Sequence, residues 1–140
     1  MINKIVFLLL VLGLLSNTIS AQHNLSLTID GVSSDKGNIC YAVYTNESSF
    51  LKFDEVFKSG SEKAVKGSTA FSISNLPDGE YAIAIFHDEN GNQNLDTNML
   101  GIPKEKVAFS KGKMKMFGPP KFNECVFSFN TTMEMNISLN

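Results

Sequence analysis

From Leu25 to Val32 the chain alternates, with Leu25, Leu27 and Ile29 apolar and Ser26, Thr28 and Asp30 polar. A period of two is that of a half-buried β-strand. Turn residues interrupt it, and Ile39–Thr45 then resumes as a strand with few polar positions, which predicts a central place in a sheet. Thr69–Leu76 alternates through Phe71 and Ile73, Pro77-Asp78-Gly79-Glu80 supplies a turn, and Tyr81–Asp88 follows. Two strands joined in this way predict a hairpin. Lys106–Ser110 and Cys125–Phe129 are shorter strand segments. Thr132–Leu139 places Met133, Met135, Ile137 and Leu139 on one side, a spacing that suits a core stripe better than a soft-metal site.

One stretch departs from this rhythm. In Asn46–Gly60, Phe50, Phe53 and Phe57 fall near helical spacing with Leu51 and Val56, and Ser48 or Ser49 can cap the start. A short helix over one end of the sheets is predicted, its aromatics serving as core or, alternatively, as a ligand cup. Leu100–Lys121 is irregular, and the bond before Pro119 is a candidate cis peptide. About seven short strands with frequent turns predict an all-β fold, a single antiparallel β-sandwich with one short helix.

The length of 140 residues suits one domain, and the net charge of -2 with no basic run gives no footprint for nucleic acid. Lys111, Lys113, Lys115 and Lys121 read as a solvated loop. The N-terminus changes the picture more. Lys4, the apolar run Ile5–Leu15 and small residues ending at Ala21 have the layout of a secretory signal peptide. The run is too short to span a bilayer comfortably. Residues 1–21 are therefore expected to be removed between Ala21 and Gln22, leaving 22–140 as one exported domain, periplasmic or extracellular, without a transmembrane segment.

Export bears on Cys40 and Cys125, which lie in no metal-type pattern. In an oxidising compartment they can pair; the alternative is two small buried hydrophobes. Between Phe86 and Asn98, acidic and amide side chains recur at every second position. Asp88, Asn90, Asn92, Asn94 and Asp96 match positions 1, 3, 5, 7 and 9 of the EF-hand scheme for calcium. Gly91 lies at position 4 instead of 6, Gln93 stands at position 6, and Met99 occupies the place of the bidentate Glu. Asn98, Glu89 or Glu105 would complete the shell. A metal-free loop built of Asx-turns is the first reading of these residues, and the calcium site the second. His87 with Asp88 and Asp96 offers a general-base arrangement, but no nucleophile elbow or second ligand for zinc accompanies it.

Gly31–Leu51, Asn75–Glu105 and Phe117–Glu124 together resemble a family of small exported bacterial proteins, domain-of-unknown-function 2141. The resemblance covers nearly all of the chain after the leader. It implies a sandwich akin to transthyretin-like or carboxypeptidase-regulatory-like domains. It also implies a signature loop with Asp88, Asn90, Asn92, Asp96, Asn98, Gly101 and Pro103 on matching positions. It implies no activity. The expected function is a non-enzymatic binding or structural module of the cell envelope, its loop a possible Ca2+ site and its partner a protein or small molecule. The rival is a small-ligand carrier or enzyme using a pocket near His87 and Phe50–Phe57.

Overall fold

The period-two stretches become strands in the computed structural model, which describes residues 23–140. In chain order these are β1 (Leu25–Val32), β2 (Asn38–Tyr44), β3 (Lys58–Lys63), β4 (Gly67–Ile73), β5 (Gly79–Asp88), β6 (Val107–Phe109), β7 (Phe127–Phe129) and β8 (Met133–Ser138). A single helical turn, α1 (Phe122–Cys125), precedes β7. The expected leader and its Ala21–Gln22 junction lie outside the described residues. Among those described, no helix is long and apolar enough to cross a membrane.

The strands form an all-β, sandwich-like fold of two sheets, one ordered β4-β1-β8 and the other β3-β2-β5-β6, with β7 paired to the start of β5. Pairing is antiparallel except between β1 and β8, the first and last strands, which run parallel from Leu25 beside Met133 to Asp30 beside Ser138. The core between the sheets takes the inward residues of both. Leu25, Leu27 and Ile29 of β1 meet Ile39 and Val43 of β2, Ile83 and Ile85 of β5, and Phe127 and Phe129 of β7. Each such side chain contributes about 1.5–3 kcal/mol when fully buried. Met133 and Met135 pack partly buried against this core, and Ile137 is buried within it.

Three sequence expectations need correction. β4 and β5 are not a hairpin: β4 pairs with β1, whereas β5 pairs with β2, β6 and β7. The Pro77–Gly79 turn crosses between sheets, and the Tyr81 hydroxyl donates to the Pro77 carbonyl at 2.8 Å. β3 carries no periodic signal because Lys58–Lys63 is a largely exposed edge strand, placed by its backbone pairing with β2. The predicted helix in Asn46–Gly60 is replaced by turns and the 3-10 segment Phe53–Glu55. Leu51 adopts φ +64, outside the helical region. Nor do the phenylalanines form a shared core: Phe53 and Phe57 are exposed, and Phe50 alone of the three packs on a buried cluster. Phe50 sits edge-on to Tyr44 and Phe122, while Phe57 lies 5.7 Å from Tyr81. The described peptide bonds are all trans, including that before Pro119.

A second apolar cluster covers the outer face of the larger sheet. Cys40, Ala82, Phe86, Val107, Phe109 and Cys125 are buried there, with Phe50, Leu51, Leu95, Met114 and Phe122 packed on them. Strand alternation produces this division: Tyr81, Ile83 and Ile85 face the first core, and Ala82 and Phe86 face the second. Cys40 and Cys125 are both free thiols within this second cluster.

Candidate functional site

β5 delivers two polar side chains at its end, and alternation sends them to opposite sides. His87 follows Ile83 and Ile85, and Asp88 follows Phe86. Asp88 is 0% exposed, and its carboxylate turns back beneath the loop it begins. Oδ1 accepts the backbone N–H of Gly91 at 2.8 Å and of Asn92 at 3.2 Å, and Oδ2 accepts that of Gln93 at 2.8 Å. A buried carboxylate needs such donors to remain charged without a large penalty. Gln93, the departure from the EF-hand scheme at position 6, has φ +62. The backbone therefore takes, with a glutamine, the left-handed turn that glycine makes at least cost. Gly37 lies against the Asp88 backbone so closely that a Cβ on it would stand 1.7 Å from the Asp88 carbonyl oxygen.

Asp96 lies across the loop from Asp88. The Asn90 side-chain amide donates to its Oδ2 at 2.6 Å, and the Asn92 amide donates to its Oδ1 at 3.2 Å. The other ends of those amides close Asx-turns, Asn90 Oδ1 accepting the Asn92 N–H and Asn92 Oδ1 that of Asn94. The structure thus gathers Asn90, Asn92 and Asp96 and seats the Asp88 carboxylate under the same turn. The Asn94 side chain bonds the Asn92 carbonyl. Asn98 caps a separate turn, accepting the N–H groups of Leu100 and Ile102.

Glu105 closes the base of the loop, accepting the Asp96 backbone N–H at 3.0 Å. Its pKa is raised, first by partial burial and then by the negative charges of Asp96 and Asp88, against a lowering from the Asp96 N–H. Among the described residues, no three His, Cys, Asp or Glu side chains form a metal-holding group. Any cation here would lean on the asparagine oxygens, donors that suit calcium better than a softer ion.

His87 is 1% exposed. Its Nε2 lies 2.9 Å from the Lys36 carbonyl oxygen, and Nδ1 is 3.6 Å from Glu89 Oε1 without a hydrogen-bond partner. It lines a polar cavity of about 170 Å³ with Ser33, Glu89, Lys104, Glu105 and Lys106. Since Asp88 projects from the other face of β5, the His87–Asp88 general-base arrangement is not formed.

The pocket anticipated near His87 and Phe50–Phe57 divides in two. A larger cleft of about 900 Å³ opens on the outer face of the β3-β2-β5-β6 sheet, and His87 is not part of it. Its floor is Cys40, Ala42, Ala84, Phe86, Val107 and Phe109. The Asp/Asn loop supplies one wall through Gln93, Asn94 and Leu95, continued by Leu100–Pro103. Leu51, Phe53 and Val56 form a second wall, and Met114–Pro119 a third. Burial pushes the Cys40 thiol up to about 11, with the Asp88 and Glu105 charges adding to it, so the floor is uncharged at neutral pH. The floor escaped sequence reading, although the small residue Ala84, set between Ile83 and Ile85, was a legible sign of a face with room above it.

A family model described as "Uncharacterized protein conserved in bacteria (DUF2141)" matches residues 27–137. No curated protein and no solved structure matches the chain.

Proposed function

The chain belongs to the DUF2141 family of bacterial proteins, and we propose that it is an exported, non-enzymatic binding module whose Asp88–Asp96 loop holds one calcium ion. One observation carries this reading: both carboxylate oxygens of Asp96 are met by amide N–H2 groups, from Asn90 and Asn92. Those groups present positive dipole ends where a cation would place its charge. Turning these amides to offer oxygens to a cation would open the Asx-turns at Asn92 and Asn94, so calcium binding would rearrange the loop. The Asn94 carbonyl is a further oxygen of the same loop, whereas the Asp88 and Glu105 carboxylates are engaged by backbone N–H groups. The left-handed Gln93 supports the same reading, because it closes the turn that the EF-hand scheme assigns to glycine. With few charged ligands, the affinity belongs in the range of about 10⁻⁴–10⁻³ M seen for extracellular modules. Calcium would stiffen the loop that walls the apolar cleft.

Thermal unfolding followed with calcium, magnesium and chelator, in the wild type and in Asp96→Ala, tests the proposal. Saturable stabilisation by calcium that the variant loses is expected, reaching about 2.7 kcal/mol at a hundredfold excess over Kd. An unchanged melting temperature up to roughly 10 mM calcium would leave a loop held by its Asx-turns alone.

A further inference from the structure

We propose that the cleft over the larger sheet binds a single-chain amphiphile, a long-chain carboxylate whose hydrocarbon lies along the floor with its head at Lys115. The inference goes beyond the calcium reading and does not depend on it. Cavities that hold small ligands run to about 300–1,000 Å³, and this cleft, at about 900 Å³, lies in that range.

The floor decides the chemistry. Ala42, Ala84, Phe86, Val107 and Phe109 carry no polar side-chain atom, and the Cys40 thiol is weakly polar and held protonated. A ligand with internal hydroxyls, amides or ring heteroatoms would bury them there unpaired, at a cost that excludes it. A plain hydrocarbon chain meets no such penalty.

Of the polar lining side chains, Ser59, Ser61, Gln93, Asn94 and Lys115 are exposed, which places them at the mouth, and Tyr41 is half-buried. Lys115 is the only charged side chain among the described residues lining the cleft, and no carboxylate lines it. The charge at the mouth is therefore complementary to an anionic head. Lys115 donates to both carboxylate oxygens of Glu124 at the surface, at 2.5 Å and 2.7 Å. Exposed pairs contribute little, so a ligand carboxylate can compete with Glu124 for the ammonium. The rim adds apolar contact, with Leu100, Met116 and Phe117 almost fully exposed and Phe117 at 97%. Soluble surfaces rarely display such a group without a use for it. Met114 and Met116 have the flexible, polarisable side chains that adapt to a chain of variable path.

The test titrates the purified protein with palmitate, myristate, laurate and hexadecanol, read by displacement of cis-parinaric acid, a fluorescent long-chain carboxylate. Saturable one-to-one displacement is expected, weakening about tenfold for each two carbons removed. Hexadecanol should bind more weakly than palmitate in the wild type, and Lys115→Met should abolish that difference. Ala84→Phe places a ring on the floor and should weaken palmitate by about a hundredfold while the melting temperature holds. Should that variant fail to fold, Phe117→Ser, at an exposed rim, should still weaken binding about fivefold. Absence of displacement, indifference to chain length, or a concentration-dependent dimer with Phe117 of a second copy in the cleft would each overturn the proposal.

Discussion

Asp88 Oδ2 accepts the backbone N–H of Gln93 at 2.8 Å, and that bond closes a loop at a residue in the left-handed conformation. A β-strand terminus thereby acts as the foundation of the turn that follows it. The carboxylate is buried, so its donors cannot be exchanged for water without opening the loop. Asp88→Ala should lower stability by about 3 kcal/mol, since hydrogen bonds to a charged group are each worth about 1.5–3 kcal/mol and loop opening recovers part of the loss. Asp88→Asn, which keeps one acceptor oxygen, should cost about half as much. Urea midpoints at constant slope measure both, and a loss below about 1 kcal/mol for the alanine variant would show that other contacts hold the loop.

Two glycines with positive φ should respond very differently to alanine. At Gly37, φ +65, the added Cβ would stand 1.7 Å from the Asp88 carbonyl oxygen, so β5 or the β1–β2 turn must move. At Gly91, φ +75, the added Cβ meets nothing within 4 Å. Gly91→Ala should cost about 1–2 kcal/mol for its left-handed backbone alone. Gly37→Ala should cost at least about 4 kcal/mol or prevent folding, as severe steric conflicts do. Equal costs by denaturant unfolding would contradict this geometry.

Glu105 makes stability depend on pH in a direction opposite to that of a salt-bridged carboxylate. Its folded pKa lies above the ordinary 4.5, so the native state binds its proton more tightly than the unfolded chain does. The native state then holds more protons, and stability falls as pH rises from 4.5 through the folded pKa. The destabilisation is complete above that range and relieved below 4.5. Glu105→Gln keeps an acceptor for the Asp96 N–H without the charge. The variant should gain on the wild type as pH rises from acid to neutral, and parallel melting curves at all pH values would refute the assignment.

The Cys40 thiol should be sluggish. With its pKa pushed from 9.0 to about 11, its thiolate fraction near pH 8 is on the order of a hundredfold below that of an unperturbed thiol. Alkylation of the native protein by iodoacetamide should be slower by at least that factor, and denaturation should restore the ordinary rate. Fast modification of native Cys40, located by peptide mass, would place the thiolate in a different environment.

Much of the sandwich was written in local alternation. β1, β4 and β8 announce themselves because one face of each is buried, and burial of one face imposes a period of two. β5, buried on both faces, reads as a near-continuous apolar run. β3 shows neither pattern, because an exposed edge strand buries neither face. The helical spacing of Phe50, Phe53 and Phe57 misled for a related reason: spacing records which residues are apolar, not that Phe50 is packed while Phe53 and Phe57 stay exposed. The Asp/Asn loop was legible as a run of alternating acidic and amide residues suited to Asx-turns, but the burial of Asp88 beneath it was not.

Which groups meet was a tertiary matter. The Pro77–Gly79 turn looks the same in sequence whether it closes a hairpin or crosses between sheets, and only the pairing of β4 with β1 distinguishes the two. The separation of His87 from Asp88 needs the sheet itself, which turns neighbours in sequence into residues on opposite faces. The cleft needs more, because β2, β5 and β6 must lie side by side before Cys40, Ala42, Ala84 and Phe109 share a floor. The sequence by itself thus determined the strand pattern and the chemistry of the loop, which depend on neighbours along the chain. The tertiary structure decided the sheet order, the buried anchor under the loop and the open apolar face, which depend on residues tens of positions apart.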